Sequence, residues 1–361
     1  MEKVKFGAVG VNSRGRGVMK SALANPNFQL KAVCDIKPQE LKKAEDLFKG
    51  ECGISDLECY ADYDEMLKNA DIDAVFVATD AICHVPFVVK ALEAGKHVLS
   101  EIPAVNSLEE AKILKEAVKA HPEVKYMVAE NCCYWGFIEA WKKMADDGKF
   151  GEAVYAESEY LHSADYRDLK PENYPPEHWR SFNPSIKYLT HNLGPLLYIL
   201  DDECVSVSAM EPDVVYNPYV KIKKNAAALF KTRKGAIIRI LISFGSFTGF
   251  DHNFRILGTR GSIMTDPTKS LNDAHSHASF SDIPGSMDDK VDIPITMTSF
   301  GTGQGGHGGA DYKMISDFIK CVLEDKAPKL DVDFAIRISL PGVIAAQSIE
   351  NGGNNLDIPK I

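Results

Sequence analysis

Apolar and polar positions set one rhythm over the first third of the chain and another afterwards. Val4-Lys5-Phe6-Gly7-Ala8-Val9 is a short apolar run that stops at Gly10, and a helix-compatible segment covers 18–24. The same alternation recurs to residue 130. Strand-like runs fall at 29–35, 58–60, 73–79, 97–101 and 125–128, with helical segments at 37–48, 63–70, 84–94 and 108–120. Asp73-Ala74-Val75-Phe76-Val77-Ala78-Thr79 is apolar throughout its middle, as a strand covered on both faces must be. Strands separated by helices predict a parallel, doubly wound sheet, whose ligands lie beyond the carboxyl ends of its strands. That rule puts Asp35, Thr79, Glu101 and Glu130-Asn131 on one edge.

From residue 137 the helices thin out. A helix over 138–146 leads through Gly148-Lys149-Phe150-Gly151 into strands at 153–161, 205–215, 226–231, 236–244 and 254–257, with one helix at 193–200. Consecutive strands without crossovers predict a mainly antiparallel open sheet covered on one side. Residues 163–187 are rich in proline and aromatics, and 268–310 in glycine, serine and aspartate; both read as loops. Helices at 311–323 and 334–351 close the chain. The expected organisation is an α/β protein of two domains, 1–130 and 131–361.

Composition narrows the partners. Lys and Arg number 41 against 51 Asp and Glu, a formal charge of −10, and no basic cluster stands out. That speaks against nucleic acid and anionic membranes as partners and leaves small neutral substrates. No signal arrangement or run of transmembrane length is evident. The eight cysteines have neither CxxC nor zinc-ligand spacing, so no metal is expected and a cytoplasmic, reduced setting is.

The first turn carries the chemistry. Gly10-Val11-Asn12-Ser13-Arg14-Gly15 follows a strand and opens a helix, with Gly10 and Gly15 where the first and third glycines of a dinucleotide fingerprint belong. Asn12 replaces the second glycine and is expected to supply a positive φ. A helix N-terminus there offers N–H groups and a positive dipole end to a pyrophosphate. Asp35, 20 residues beyond Gly15, suits the ribose hydroxyls and repels a 2′-phosphate, which favours NAD over NADP. Two alternatives stay open: Asp35 as a plain turn residue, and Arg14 as an offset for a phosphate.

Two sets of motifs add a resemblance. Ala94-Gly95-Lys96-His97-Val98-Leu99-Ser100-Glu101-Ile102-Pro103 resembles the AGKHVxxEKP signature of the Gfo/Idh/MocA oxidoreductase family. The resemblance implies a Rossmann domain, an α/β domain whose open sheet often forms a homo-oligomer interface (dimer or tetramer), bound NAD, and redox chemistry on a sugar. Ile102 departs from it, because most members carry a lysine there that handles the hydroxyl proton. Glu130-Asn131-Cys132-Cys133-Tyr134, Tyr160-Leu161-His162, Trp179-Arg180, Tyr188-Leu189-Thr190-His191 and Gly306-His307-Gly308-Gly309-Ala310-Asp311-Tyr312 resemble the NAD-dependent α-N-acetylgalactosaminidase branch. That branch implies sugar contacts at Arg180, Tyr188, His191 and Tyr312, with Tyr160 also at the sugar. It places Glu101, Asn131, His84 and His162 along the cofactor.

From chemistry alone, histidine is the residue in this set that titrates near neutrality, so His191, with Tyr160 beside it, is the candidate base. Packing or capping for His191, sheet packing for Tyr160 and a plain loop for 305–309 are the competing structural readings. The expected activity is NAD-dependent oxidation of a sugar or glycoside hydroxyl, at C3 by the resemblance. A redox-neutral glycosidase is the alternative, and a non-catalytic NAD-bound sensor the third reading.

Overall fold

The computed structural model describes residues 3–162, 178–214, 224–246, 249–270, 272–273, 275–299 and 306–361. Two compact units divide the chain: Met1–Asn131 with Gly301–Ile336 and Ile361, and Cys132–Phe300 with Arg337–Lys360.

The first unit is built on strands β1 (Val4–Val9), β2 (Phe28–Cys34), β3 (Glu58–Tyr60), β4 (Ala74–Val77), β5 (His97–Ser100) and β6 (Tyr126–Val128). All pair in parallel, in the order β3-β2-β1-β4-β5-β6. The order reverses between β1 and β4, and Val9 stands level with both Cys34 and Val77, so a crevice opens beyond Gly10. Every residue of β4 is buried, which explains its unbroken apolar run. Helices start where side chains can accept the first orphan N–H groups: Asn12, Asp62 and Ser107 each do so. The segment 37–48 divides into a helix, Pro38–Glu45, and one wider turn, Asp46–Glu51.

Residues 301–336 return to this unit, whereas the sequence division kept them with 131–361. Helix Ala310–Leu323 shows why. Its Phe318 meets Phe6 of β1 edge-on at 5.9 Å, and Ser316 accepts from Asn25 Nδ2 at 2.8 Å. Apolar spacing marks a helix but does not say which sheet it covers.

The second unit carries β7 (Ala153–Leu161), β8 (Cys204–Met210), β9 (Asn225–Thr232), β10 (Ile237–Ser243), β11 (Asp251–Gly258), β12 (Gly261–Thr265), β13 (Ser276–Phe280), β14 (Val291–Ile293) and β15 (Leu356–Asp357). Their order is β14-β13-β12-β11-β7-β10-β9-β8-β15, antiparallel except for the β7–β10 pair. One face is packed: Ala156 and Ser158, Ala226, Ala228 and Phe230, and Ile238, Ile240 and Ile242 all point inward. Helix Thr190–Leu200 lies on it, held by Asn192 Nδ2 donating to Ser158 Oγ. The other face is open, with Leu229 52% exposed.

Two expectations change here. The presumed loop over 268–310 contains β13 and β14, whose small, half-polar residues conceal the alternation; Trp141 Nε1 anchors this region on Ser276 Oγ at 3.0 Å. The strand expected over 205–215 ends at Met210, and Val215 lies outside the described residues, as do 163–177 of the aromatic-rich loop. Helix Val332–Glu350 is long and apolar enough to cross a membrane by length and composition, yet 72% of that stretch is buried. None of the eight cysteines, all described, forms a disulfide.

Candidate functional site

In the first unit the glycine turn is shaped by contact. Gly10 has φ +82°, and a Cβ on it would stand 2.4 Å from the Ala78 carbonyl oxygen. At Gly15 a Cβ would stand 2.2 Å from the Gly10 oxygen, so the first helical turn rests directly on the strand exit. Asn12 does something other than expected. Its φ is −66°, and its Oδ1 accepts from the N–H of Arg14 and Gly15. It is an N-cap, so no glycine is needed at that position. Ser13 is the first residue of the helix.

A groove of about 410 Å³ opens beside this turn, lined by Gly10, Asn12, Asp35, Ile36, Thr79 and Phe87 among others. Asp35 Oδ2 accepts from Val11 N–H and Oδ1 from Lys37 N–H, each at 2.9 Å, which fixes the carboxylate at the groove wall. Each carboxylate oxygen retains a further lone pair for a ribose hydroxyl. Thr79 Oγ1 is buried without a hydrogen-bond partner among the described residues. A glycine cradle, an orphaned hydroxyl and a fixed carboxylate are the donor and acceptor set that the adenosine and pyrophosphate of NAD require.

Arg14 points away from Asp35. Its Nε donates to Glu101 Oε1 at 2.7 Å and its Nη1 to Asp311 Oδ2 at 2.8 Å. His307 Nδ1 lies 3.0 Å from the same Asp311 oxygen, and Asn131 Nδ2 donates to Oδ1 at 2.9 Å. Asp311 is 2% exposed. Burial alone would push its carboxyl up, but the Arg14 charge and the His307 and Arg14 hydrogen bonds outweigh that and hold it well below the usual carboxylate range. The Gly-His-Gly-Gly stretch makes room for this group. A Cβ on Gly306 would stand 2.6 Å from Asp311 Oδ2, and His307, Gly308 and Gly309 all have positive φ, at 54°, 66° and 88°. The sequence alone points to neither Asp311 nor His307 as a partner of Arg14; the clustered glycines are the available signal.

His84, which the resemblance puts along the cofactor, sits beneath Thr79 of the groove wall. It is 2% exposed, with Nδ1 2.8 Å from the Pro103 carbonyl oxygen and Nε2 3.2 Å from that of Thr79. Both ring nitrogens face protein backbone, so His84 braces the loop after β4 against the turn after β5. Ile102 is 3% exposed, a packed side chain.

In the second unit an aromatic cluster surrounds Tyr160. Its ring stacks on His252 at 4.2 Å and meets His191 at 5.7 Å, His162 at 5.6 Å and Phe244 at 5.0 Å edge-on. Tyr188 meets His191 at 5.6 Å. The Arg180 guanidinium lies 4.5 Å from the Trp179 ring and 5.7 Å from that of Tyr188, while its carbonyl accepts from Lys224 Nζ at 2.5 Å. His191, in the first turn of helix Thr190–Leu200, has Nδ1 3.3 Å from Cys132 Sγ. The structure therefore gathers Tyr160, Arg180, Tyr188 and His191. His162, which the resemblance puts along the cofactor, packs its ring against Tyr160, Phe244 and Phe250. Tyr312 stands on helix Ala310–Leu323 of the first unit.

Comparison with known proteins agrees with this architecture. Residues 4–130 match the Gfo/Idh/MocA oxidoreductase family, NAD-binding Rossmann fold, and 138–264 the C-terminal domain of the same family. Residues 220–361 match the glycosyl hydrolase 109 C-terminal domain. A glycosyl hydrolase family 109 protein of Porphyromonas gingivalis is 26% identical, over 99% of this chain and 84% of its own. Levoglucosan dehydrogenase in complex with NADH superposes with a TM-score of 0.84 at 20% identity, covering all of both chains. Scyllo-inositol dehydrogenase of Lactobacillus casei, solved with NAD(H) and scyllo-inositol, gives 0.80 at 19%, over 99% of each. The chain belongs to the Gfo/Idh/MocA oxidoreductase family, with the C-terminal domain of glycosyl hydrolase 109.

Proposed function

We propose that this enzyme uses NAD to oxidise a hydroxyl of a sugar or glycoside, at C3. The observation that carries the reading is the presence, in one chain of an NAD-binding oxidoreductase family, of a cluster built from Arg180, Tyr188, His191 and Tyr160. Arginine offers a fixed fork of donors to sugar hydroxyls, and tyrosine offers both a ring face and a hydroxyl. Bound NAD supplies hydride acceptance and return. His191 takes the hydroxyl proton, and Tyr188 and Arg180 hold the ring in place. On the first unit, Asp35 holds the adenosine ribose and the N-terminus of helix Ser13–Ala22 the pyrophosphate.

A specific observation favours the redox-neutral route, in which the oxidised sugar stays bound. It is the glycosyl hydrolase 109 match over 220–361, joined by relatives bearing that name. A C3 ketone acidifies the C2 hydrogen; His191 or Tyr160 removes that proton as the C1–O bond breaks and the leaving group departs. Water then adds at C1 while the removed proton returns to C2, and the ketone is reduced again. No pair of carboxylates flanking the glycosidic bond is needed. Ile102 has no ammonium to offer, so proton handling falls to the aromatic cluster. The reading includes a cytoplasmic homo-oligomer, supported by the undisulfided cysteines and the exposed Leu229 on the open sheet.

Aryl glycosides incubated with the protein and NAD, with NADH and aglycone followed together, test these routes. Aglycone without net NADH is expected. NADH in step with substrate and no aglycone would establish the dehydrogenase instead, and silence with NAD bound would establish a sensor. His191→Ala should lower turnover at least about 100-fold, within the range for a lost general base, with NAD affinity unchanged. Full activity in that variant would remove His191 from the mechanism. Asp35→Ala should weaken NAD about 10- to 100-fold, as for the loss of charge-assisted hydrogen bonds, and narrow the preference over NADP. Equal NAD binding, measured by titration, would count against its role.

A further inference from the structure

We infer that Asp311 is a positioning residue: its buried carboxylate sets where Tyr312 and Asn131 stand relative to the nucleotide turn, so it governs sugar binding without touching sugar. This rests on the reading of Tyr312 as a sugar contact.

Asp311 occupies the first turn of helix Ala310–Leu323, and Tyr312 is the next residue. The N-cap is Gly309, which has no side chain, so nothing local caps this helix. What fixes its start is the carboxylate. Oδ2 takes Arg14 Nη1 at 2.8 Å with His307 Nδ1 at 3.0 Å, and Oδ1 takes Asn131 Nδ2 at 2.9 Å. Arg14 lies two residues beyond the Asn12 cap and also holds Glu101 just past β5. One carboxylate thus joins the turn after β1, the segment after β6 and the helix carrying Tyr312, with Glu101 brought in through Arg14. Gly306 is part of the device, since a Cβ there would stand 2.6 Å from Asp311 Oδ2 and displace it. The depressed carboxyl titration keeps the group charged throughout the neutral range. Freeing the helix start lets Tyr312 sample other positions, and a shift of about 1 Å in a substrate-holding group costs on the order of 100-fold.

Asp311→Asn and Gly306→Ala attack the device independently, one through charge and the other by crowding, and neither alters Tyr312 or the residues lining the groove. NAD affinity is measured by fluorescence titration, KM and kcat on a p-nitrophenyl glycoside turned over by the wild type, and hydrogen exchange on the peptide 306–318. Each variant is expected to raise KM at least tenfold while NAD affinity stays within threefold, with faster exchange over 306–318. Unchanged KM, or NAD affinity falling in parallel with it, would overturn the assignment. If the wild type turns over no glycoside, the functional reading fails separately, and exchange decides: protection over 306–318 equal to wild type in both variants would overturn the positioning role, and faster exchange would uphold it. Should Asp311→Asn fail to fold, Gly306→Ala carries the test alone.

Discussion

Arg14→Met is expected to destabilise the first unit by about 3–5 kcal/mol, the usual cost of stranding buried charges. Glu101 and Asp311 have side chains 9% and 2% exposed, and each accepts a hydrogen bond from the same guanidinium. Methionine fills comparable space but leaves two carboxylates facing each other without a cation between them. Arg14→Lys should fall between, because a single ammonium cannot serve both acceptors with fork geometry. Calorimetric melts measure this, with a drop on the order of 10 °C for the methionine variant; overlapping melts would show that the pair contributes nothing. The same pair shapes the acid limit. Burial raises the Asp311 carboxyl, but Arg14 and His307 bring it net below its ordinary 3.8, so the folded state binds this proton less readily than the unfolded chain. Its contribution is complete above about 3.8 and fades as pH falls further, through the lower folded value. Arg14→Met should shrink that acid-dependent loss.

Gly10→Ala is expected to abolish measurable NAD binding and to add about 1–3 kcal/mol of backbone strain. The φ of +82° disfavours any side chain, and the new methyl would meet the Ala78 oxygen at 2.4 Å and Thr79 N at 2.5 Å. Relief requires β1 and β4 to part where the sheet order reverses, which deforms the groove at Thr79. Gly17→Ala is the control. That glycine lies inside helix Ser13–Ala22 with nothing within 4 Å of its Cβ position, so alanine should stabilise by about 0.5–1 kcal/mol. NAD titration of both variants decides; unaltered affinity in Gly10→Ala would mean that the turn tolerates a side chain.

The parallel sheet is readable because its strands β4 and β6 are buried throughout and its helices carry local signals. Ser107 and Glu110 mark one helix start, and Gly95, with φ +68°, follows the helix that ends at Glu93. Asn12 shows the limit of a fingerprint. The letters gave a glycine position with a substitute, whereas the backbone uses the side chain as a cap. β13 is hard to read because buried Ser276 and Ala278 alternate with half-exposed His277 and Ser279, a weak contrast until Phe280. Tyr160, Tyr188 and His191 were found through a motif, but His252 stacking on Tyr160 was not, since no spacing links positions 92 residues apart. Nor did any local pattern join Arg14 to Asp311.

Because the first unit is discontinuous, its assembly during synthesis is split in time. The ribosome releases β1 to β6 well before helix Ala310–Leu323 exists. At about 5–20 residues per second, roughly 15–60 s separate Arg14 from its carboxylate partner 297 residues later. In that interval Phe6 lacks Phe318, and Arg14 has Glu101 alone. A nascent chain ending near residue 300 therefore presents an incompletely covered sheet, and chaperone capture should be greatest there and fall once residue 323 has emerged.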